Sequence, residues 1–192
     1  MRDAASQVSA KDIRPGEKRE LDMRITSAFR VFIGSREAER TAKLTDRLVG
    51  AARGGDLDEM REIISQGGNI NGYGKDGGTP PMEAIIYGGV DKAGFGRAMK
   101  FFKEMGADFG LQHRDNKFTV LHWMIFSDYS PIVLERAIKE YGLDVMIRDG
   151  KERAARQLAI ELSQTFKDRE SLYNAVAESL KQFERASSGA GR

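Results

Sequence analysis

The chain has no cysteine among its 192 residues, which removes disulfides, Cys-ligated zinc and thiol chemistry together. It has two histidines, His113 and His122, neither at metal-ligand spacing from a partner, so no His-based metal site and no cofactor is expected. No apolar run approaches the roughly 18 residues of a membrane span. The first residues lack a secretory apolar core, and Asp3, Asp12, Glu17, Glu20 and Asp22 are unlike an acid-poor transit peptide. Neither sign of charge dominates. Against 31 basic residues stand 29 acidic ones, a net charge of +2 that selects neither nucleic acid nor an anionic membrane. The expectation is a soluble cytoplasmic protein of one domain, with no nucleic-acid partner and no membrane insertion.

What the chain does have is a phrase that occurs twice. Phe101-Phe102-Lys103-Glu104-Met105-Gly106-Ala107-Asp108 returns 36 residues later as Ala137-Ile138-Lys139-Glu140-Tyr141-Gly142-Leu143-Asp144. Each copy reads as the last turn of an amphipathic helix, a glycine stop, then an apolar residue and Asp. Arg114-Asp115 and Arg148-Asp149 follow at nearly the same offset. A period in the thirties is the signature of a solenoid, whose units bury their apolar faces against one another.

Residues 1–16 are small and polar and end in Pro15-Gly16, predicting a flexible arm. Over 17–43 a capping helix is expected, with Leu21, Ile25, Phe29 and Phe32 on one face and an interruption at Gly34-Ser35. A repeat domain then fills 44–183, and 184–192 read as a flexible tail. In the first unit Leu48, Ala51 and Ala52 form a narrow helix face, Gly54-Gly55-Asp56 a turn, and Leu57, Met60, Ile63 and Ile64 the inward side of a second helix ending at Gly67-Gly68.

Gly54-Gly55-Asp56, Ile63-Ile64-Ser65-Gln66-Gly67-Gly68-Asn69-Ile70-Asn71 and Gly77-Gly78-Thr79-Pro80-Pro81 together resemble one ankyrin repeat running into the next, and Thr119-Val120-Leu121-His122 resembles the family's TPLH element. The resemblance implies an all-α, ankyrin-like helix-pair solenoid with hairpin or finger loops, in four units at about 44–75, 76–114, 115–148 and 149–183. In this alignment Asp46 takes the slot of Thr79, and Arg153 that of Thr119. The sequence departs from the family in three places: a lengthened loop at 88–96, Pro81 where Leu is usual, and a degenerate last unit suited to a terminal cap.

Two patterns suggest chemistry and are better read as structure. Gly72-Tyr73-Gly74-Lys75-Asp76-Gly77 has the GxGxxG spacing, with Asp91 beyond it, but a helix stop precedes it where a dinucleotide site needs a strand. His122 lies near Ser127 and Asp128, yet Ser127 is some 140° round the same helix, at roughly 100° per residue. The resemblance implies a packed, backbone-bonded His122. Trp123, in a slot where the family usually has Leu, reads as core.

The resemblance implies a non-catalytic protein–protein interaction module that binds one partner through a concave face and hairpin tips, the chain itself being a monomer. Ile86, Tyr87, Phe126 and Ser127 fall on positions that tend to face such a groove. Lys75, Asp76, Arg114, Asn116 and Phe118 fall at the tips, where Phe118 either anchors a partner or folds back on the next finger. Two other roles stay open: an effector secreted into a host cell, and an inhibitory subunit that blocks an enzyme or toxin.

Overall fold

Between Pro15 and Pro80 the chain holds no proline, and one helix takes up most of that stretch. In a computed structural model, which describes residues 15–87 and 95–189 and side chains over 33–87 and 95–187, α1 (Pro15–Gly54) runs unbroken. Gly34-Ser35, expected to interrupt it, lies inside the helix, and Gly34 does not turn left-handed. Arg36-Glu37-Ala38-Glu39-Arg40 follows at once. These strong helix formers outweigh the roughly 1 kcal/mol that a single mid-helix glycine costs. Pro15 and Gly16, read as the end of an arm, already belong to α1. Residues 1–14, most of the long loop (88–94) and the side chains of Leu21, Ile25, Phe29 and Phe32 lie outside the described residues.

The chain divides into two units after Arg40. The second unit contains the end of α1 and α2 (Leu57–Ser65), α3 (Pro80–Ile86), α4 (Phe95–Glu104), α5 (Val120–Phe126), α6 (Pro131–Tyr141), α7 (Ala155–Thr165) and α8 (Glu170–Gly189), with a 3-10 turn at Lys167–Arg169. The described residues are all-α and include no strand. α8 runs on to Gly189, well into the stretch expected to form a tail. Helix α3 packs on α5 and α5 on α7; α4 packs on α6 and α6 on α8. Two rows result, with Met60, Ile63, Met99, Phe102, Leu121 and Leu134 in one continuous core between them.

The twice-written phrase is a helix-ending device, and the structure uses it three times. Gly67, Gly106 and Gly142 each take positive φ, of 102°, 76° and 70°, which a side chain would strain. Two residues on, Asn69, Asp108 and Asp144 accept from the backbone N–H two residues ahead, at 2.9, 2.8 and 2.7 Å. The next side chains, Ile70, Phe109 and Val145, turn into the core.

The loops ahead of α3, α5 and α7 share a second device. Each is closed across its base by a backbone bond from Gly74 to Gly78, His113 to Phe118, or Asp149 to Arg153, at 2.9, 2.8 and 2.9 Å. Each is tied to its neighbour by another, Arg114 N–H to Gly77 O at 2.9 Å and Gly150 N–H to Asn116 O at 2.8 Å. The N-cap residues that follow are Thr79, Thr119 and Ala154. The cap in the last unit is therefore Ala154, one residue later than the Arg153 of the sequence alignment. Asp46 lies within α1 and caps nothing.

Thr119 Oγ1 lies 2.9 Å from His122 Nδ1, which also accepts from Thr119 N–H at 3.3 Å. Gln157 serves the same purpose for Ala154, whose N–H it accepts at 2.9 Å. In the unit of α3 the corresponding residue is Met82, and the Thr79 hydroxyl is buried without a hydrogen-bond partner among the described residues. The same substitution should therefore act with opposite sign at the two threonines. Thr79→Val removes an unsatisfied hydroxyl and should raise the free energy of unfolding in urea by up to about 1 kcal/mol. Thr119→Val breaks the His122 contact and should lower it by about 1–2 kcal/mol. Equal losses at both positions would contradict this account.

Candidate binding surface

Because their entry loops are tied side by side and each helix leaves its loop at the N-cap, α3, α5 and α7 run in the same direction. Their surface holds most of the residues singled out from the sequence. Tyr87, the C-cap of α3, is 57% exposed, and Phe126, the last residue of α5, is 48% exposed. Ile86 is half-buried against the core. Ser127 is half-buried as the C-cap of α5, its N–H donating to Trp123 O at 2.9 Å.

At one end of this row stands Arg53, from the last turn of α1. Its guanidinium bonds Glu83 at 2.9 Å and also Asp76, and it lies 4.5 Å from the centre of the Tyr87 ring. Glu83 is buried, so the pair fixes Arg53, and Arg53 in turn steadies the exposed tyrosine. The Asp76 hydrogen bond, foremost, and those to Glu83 hold the guanidinium above its ordinary pKa against the opposing effect of burial. Of the other tip residues, Lys75 is exposed and 3.6 Å from Asp46, while Arg114 stands 4.8 Å over the Tyr73 ring.

The middle of the row is aromatic. Phe118 is only 7% exposed. It packs against His122, Trp123 and Phe126 with ring centres 5.4, 5.1 and 6.3 Å away. Phe118 therefore offers no free contact at the tip, although it stood among the expected partner-binding residues; it folds back. The cause is local. Asn116 Oδ1 accepts from Phe118 N–H at 2.9 Å, which turns the chain inward just before α5. Trp123 is half-buried, and its indole N–H has no hydrogen-bond partner among the described residues. Beside Phe126 opens a cleft of about 460 Å³, walled by Asn116, Phe118, Leu158 and Leu162, with Asp115, Lys151 and Glu161 on its lining.

At the far end Arg153 repeats the arrangement around Arg53. It bonds the buried Asp149 at 2.6 Å and Glu161 at 2.5 Å. Burial pushes the Asp149 carboxyl up, but bonds from the Arg153 side chain, the Arg153 N–H and the Lys151 N–H outweigh it and hold the group below its ordinary range. Phe166, just past α7, is a third exposed aromatic at a helix end, 40% exposed and 6.5 Å from the Tyr173 ring. Tyr173 donates to Asp128 at 2.5 Å, tying α8 to the turn after α5. Sequence reasoning missed Arg53, Glu83, Glu161 and Phe166. Arg53 and Glu83 lie 30 residues apart, with no periodic signal to pair them.

The two patterns that suggest chemistry serve the scaffold. Gly72–Gly78 is the first of the tied loops, and a Cβ at Gly77 would sit 3.0 Å from Arg114 Cβ. Both ring nitrogens of His122 are engaged, Nδ1 by Thr119 and Nε2 at 3.3 Å by Arg153 O in the next unit. His113 is buried too, its Nδ1 accepting from Asp115 N–H at 3.3 Å.

Burial, the largest influence, lowers the His122 pKa, while its bond to Arg153 O opposes the shift. An unfolded histidine titrates at about 6.5. Below about that pH the unfolded chain takes up a proton that the native ring resists, so the stability His122 provides is complete above it and is lost as pH falls through the native value. His122→Gln can still accept from Thr119, as Gln157 does from Ala154, but is too short to reach Arg153. Its urea midpoint should lie below wild type at pH 8, by about 1 kcal/mol of stability. The gap should narrow by pH 5, and a constant gap would refute the assignment.

Among known proteins, no family model matches this chain, and no curated protein matches it either.

Proposed function

We propose that the unit from Thr41 onward is an ankyrin-type solenoid acting as a non-catalytic protein-binding module in the cytoplasm, monomeric until it meets its partner. Two repeated features, the left-handed glycine stops and the tied loops, support the solenoid reading, together with the single Thr119–His122 pairing at the family's TPLH element. The observation that carries the binding reading is the pair Tyr87 and Phe126. These large aromatics stay exposed at the ends of two neighbouring parallel helices, each steadied by contacts from the scaffold. Tyr and Trp lead among residues that dominate interfaces, and exposed apolar clusters mark contact sites. Lys75, Asp76, Arg114 and Asn116 supply a polar rim at the loop tips, with Ile86 and Ser127 between. The mechanism is occupancy. A surface already ordered by the helix rows loses little conformational entropy on binding.

Affinity capture from the native source with mass spectrometry tests this, comparing wild type with a folded Tyr87→Ala/Phe126→Ala variant. A stoichiometric partner should bind the variant at least roughly 30-fold more weakly, the effect of losing about 2 kcal/mol or more of aromatic contact. A partner held equally well by the variant would remove this surface from the interface.

A further inference from the structure

We propose that the cleft beside Phe126 takes an apolar side chain from a cationic peptide segment, with a Lys or Arg of that segment reaching Glu161 and Asp115; this rests on the protein-binding reading above. The cleft, at about 460 Å³, is within the range of ligand sites, and Phe118, Phe126, Leu158 and Leu162 give it apolar walls. Its lining carries Asp115 and Glu161 against Lys151 and Arg153, and the pairing of Arg153 with buried Asp149 leaves the cluster one carboxylate in surplus. The Arg153 guanidinium is already matched by buried Asp149, so Glu161, with its side chain 48% exposed, is a second carboxylate on a spoken-for cation. Asp115 is exposed on the loop opposite, and among the described residues Lys151 is the one further cation on the lining.

The other end of the row repeats the imbalance, with Asp76 and Glu83 sharing Arg53. An aromatic middle between two carboxylate-rich ends is complementary to an apolar centre flanked by cations. A phosphate-bearing or acidic partner would meet the surplus carboxylate at each end, offset only by the exposed Lys75 and Lys151. Packed helices lie roughly 8–10 Å apart, so α3 and α7 are separated by about 20 Å. An extended segment of roughly six residues covers that span.

A phage-displayed random library of peptides about 12 residues long, selected on the full-length chain, is the probe; that length is roughly twice the span to be covered. Enriched sequences should carry Phe, Leu or Trp with Lys or Arg within about three residues on either side, a window set by the same span. A synthetic enriched peptide, followed by fluorescence anisotropy, should bind at least about 10-fold more weakly to Phe126→Ser and to Glu161→Gln, and more weakly as salt rises from about 0.05 to 0.5 M. Circular dichroism and urea midpoints confirm that the variants are folded. Thr165→Lys, one turn beyond Glu161 on α7, places a cation where it can pair with that carboxylate and should weaken binding as well. Acidic or uncharged consensus sequences, no enrichment, or an affinity unchanged in Phe126→Ser would overturn the proposal. Peptides sensitive to Tyr87→Ala but not to Phe126→Ser would overturn it too, while leaving the protein-binding reading intact.

Discussion

The backbone bonds between successive loops, Arg114 to Gly77 and Gly150 to Asn116, are the constraint on which the binding surface depends. A backbone N–H can meet its neighbour's carbonyl at only one register, and an unmet polar group away from water would cost about as much as the bond is worth. Once the loops are fixed side by side, the helices that leave them have their starting points and directions set. Tyr87 and Phe126 then fall at the ends of two neighbouring helices, Tyr87 as the C-cap of α3 and Phe126 as the last residue of α5. Glycine at 77 is part of this constraint, since a side chain there would crowd Arg114 where the two loops touch.

The units meet this common backbone rule with different side chains. Thr119 and His122 use a hydroxyl and an imidazole, Ala154 and Gln157 an amide, and Thr79 and Met82 leave the hydroxyl unmatched. Of these three pairs, the central one alone reaches forward, through His122 Nε2 to Arg153 O. That carbonyl also closes the Asp149–Arg153 loop. The imidazole is thus coupled to the loop that holds the Asp149–Arg153–Glu161 cluster and one side of the cleft. The buried histidine shapes the surface without touching it.

Much of the fold was legible because its devices are local. Glycine stops, Asx bonds two residues ahead and the N-cap threonines all act within a few residues, so they leave a spaced imprint such as the phrase at 101–108 and 137–144. Where local signals competed, reading was less sure. Gly34-Ser35 resembles a break but sits among strong helix formers. Ala186-Ser187-Ser188-Gly189 has the small, polar composition of a tail, yet it continues α8, because a helix already formed adds each further residue at little cost. Placing Arg153 at the cap erred by one residue because Ala154 has no side-chain oxygen to mark the position, and its partner Gln157 is recognisable only once the bond is seen.

The surface was legible in part, for a different reason. Tyr87 and Phe126 are exposed while Ser127 and Ile86, at the equivalent repeat positions, are half-buried, and Phe118 turns inward through the Asn116 bond, so repeat position by itself decides none of these outcomes. The charged clusters were hidden because Arg53 meets Glu83 and Asp76 only after the end of α1 and the first loop are brought to α3. Those clusters bear on specificity more than on gross affinity. Aromatic area attracts any apolar partner, while a carboxylate surplus at each end of the row penalises acidic ones. Holding each surplus carboxylate on an arginine also keeps it in place before binding, so a partner's cation meets a positioned acceptor and less ordering remains to be done.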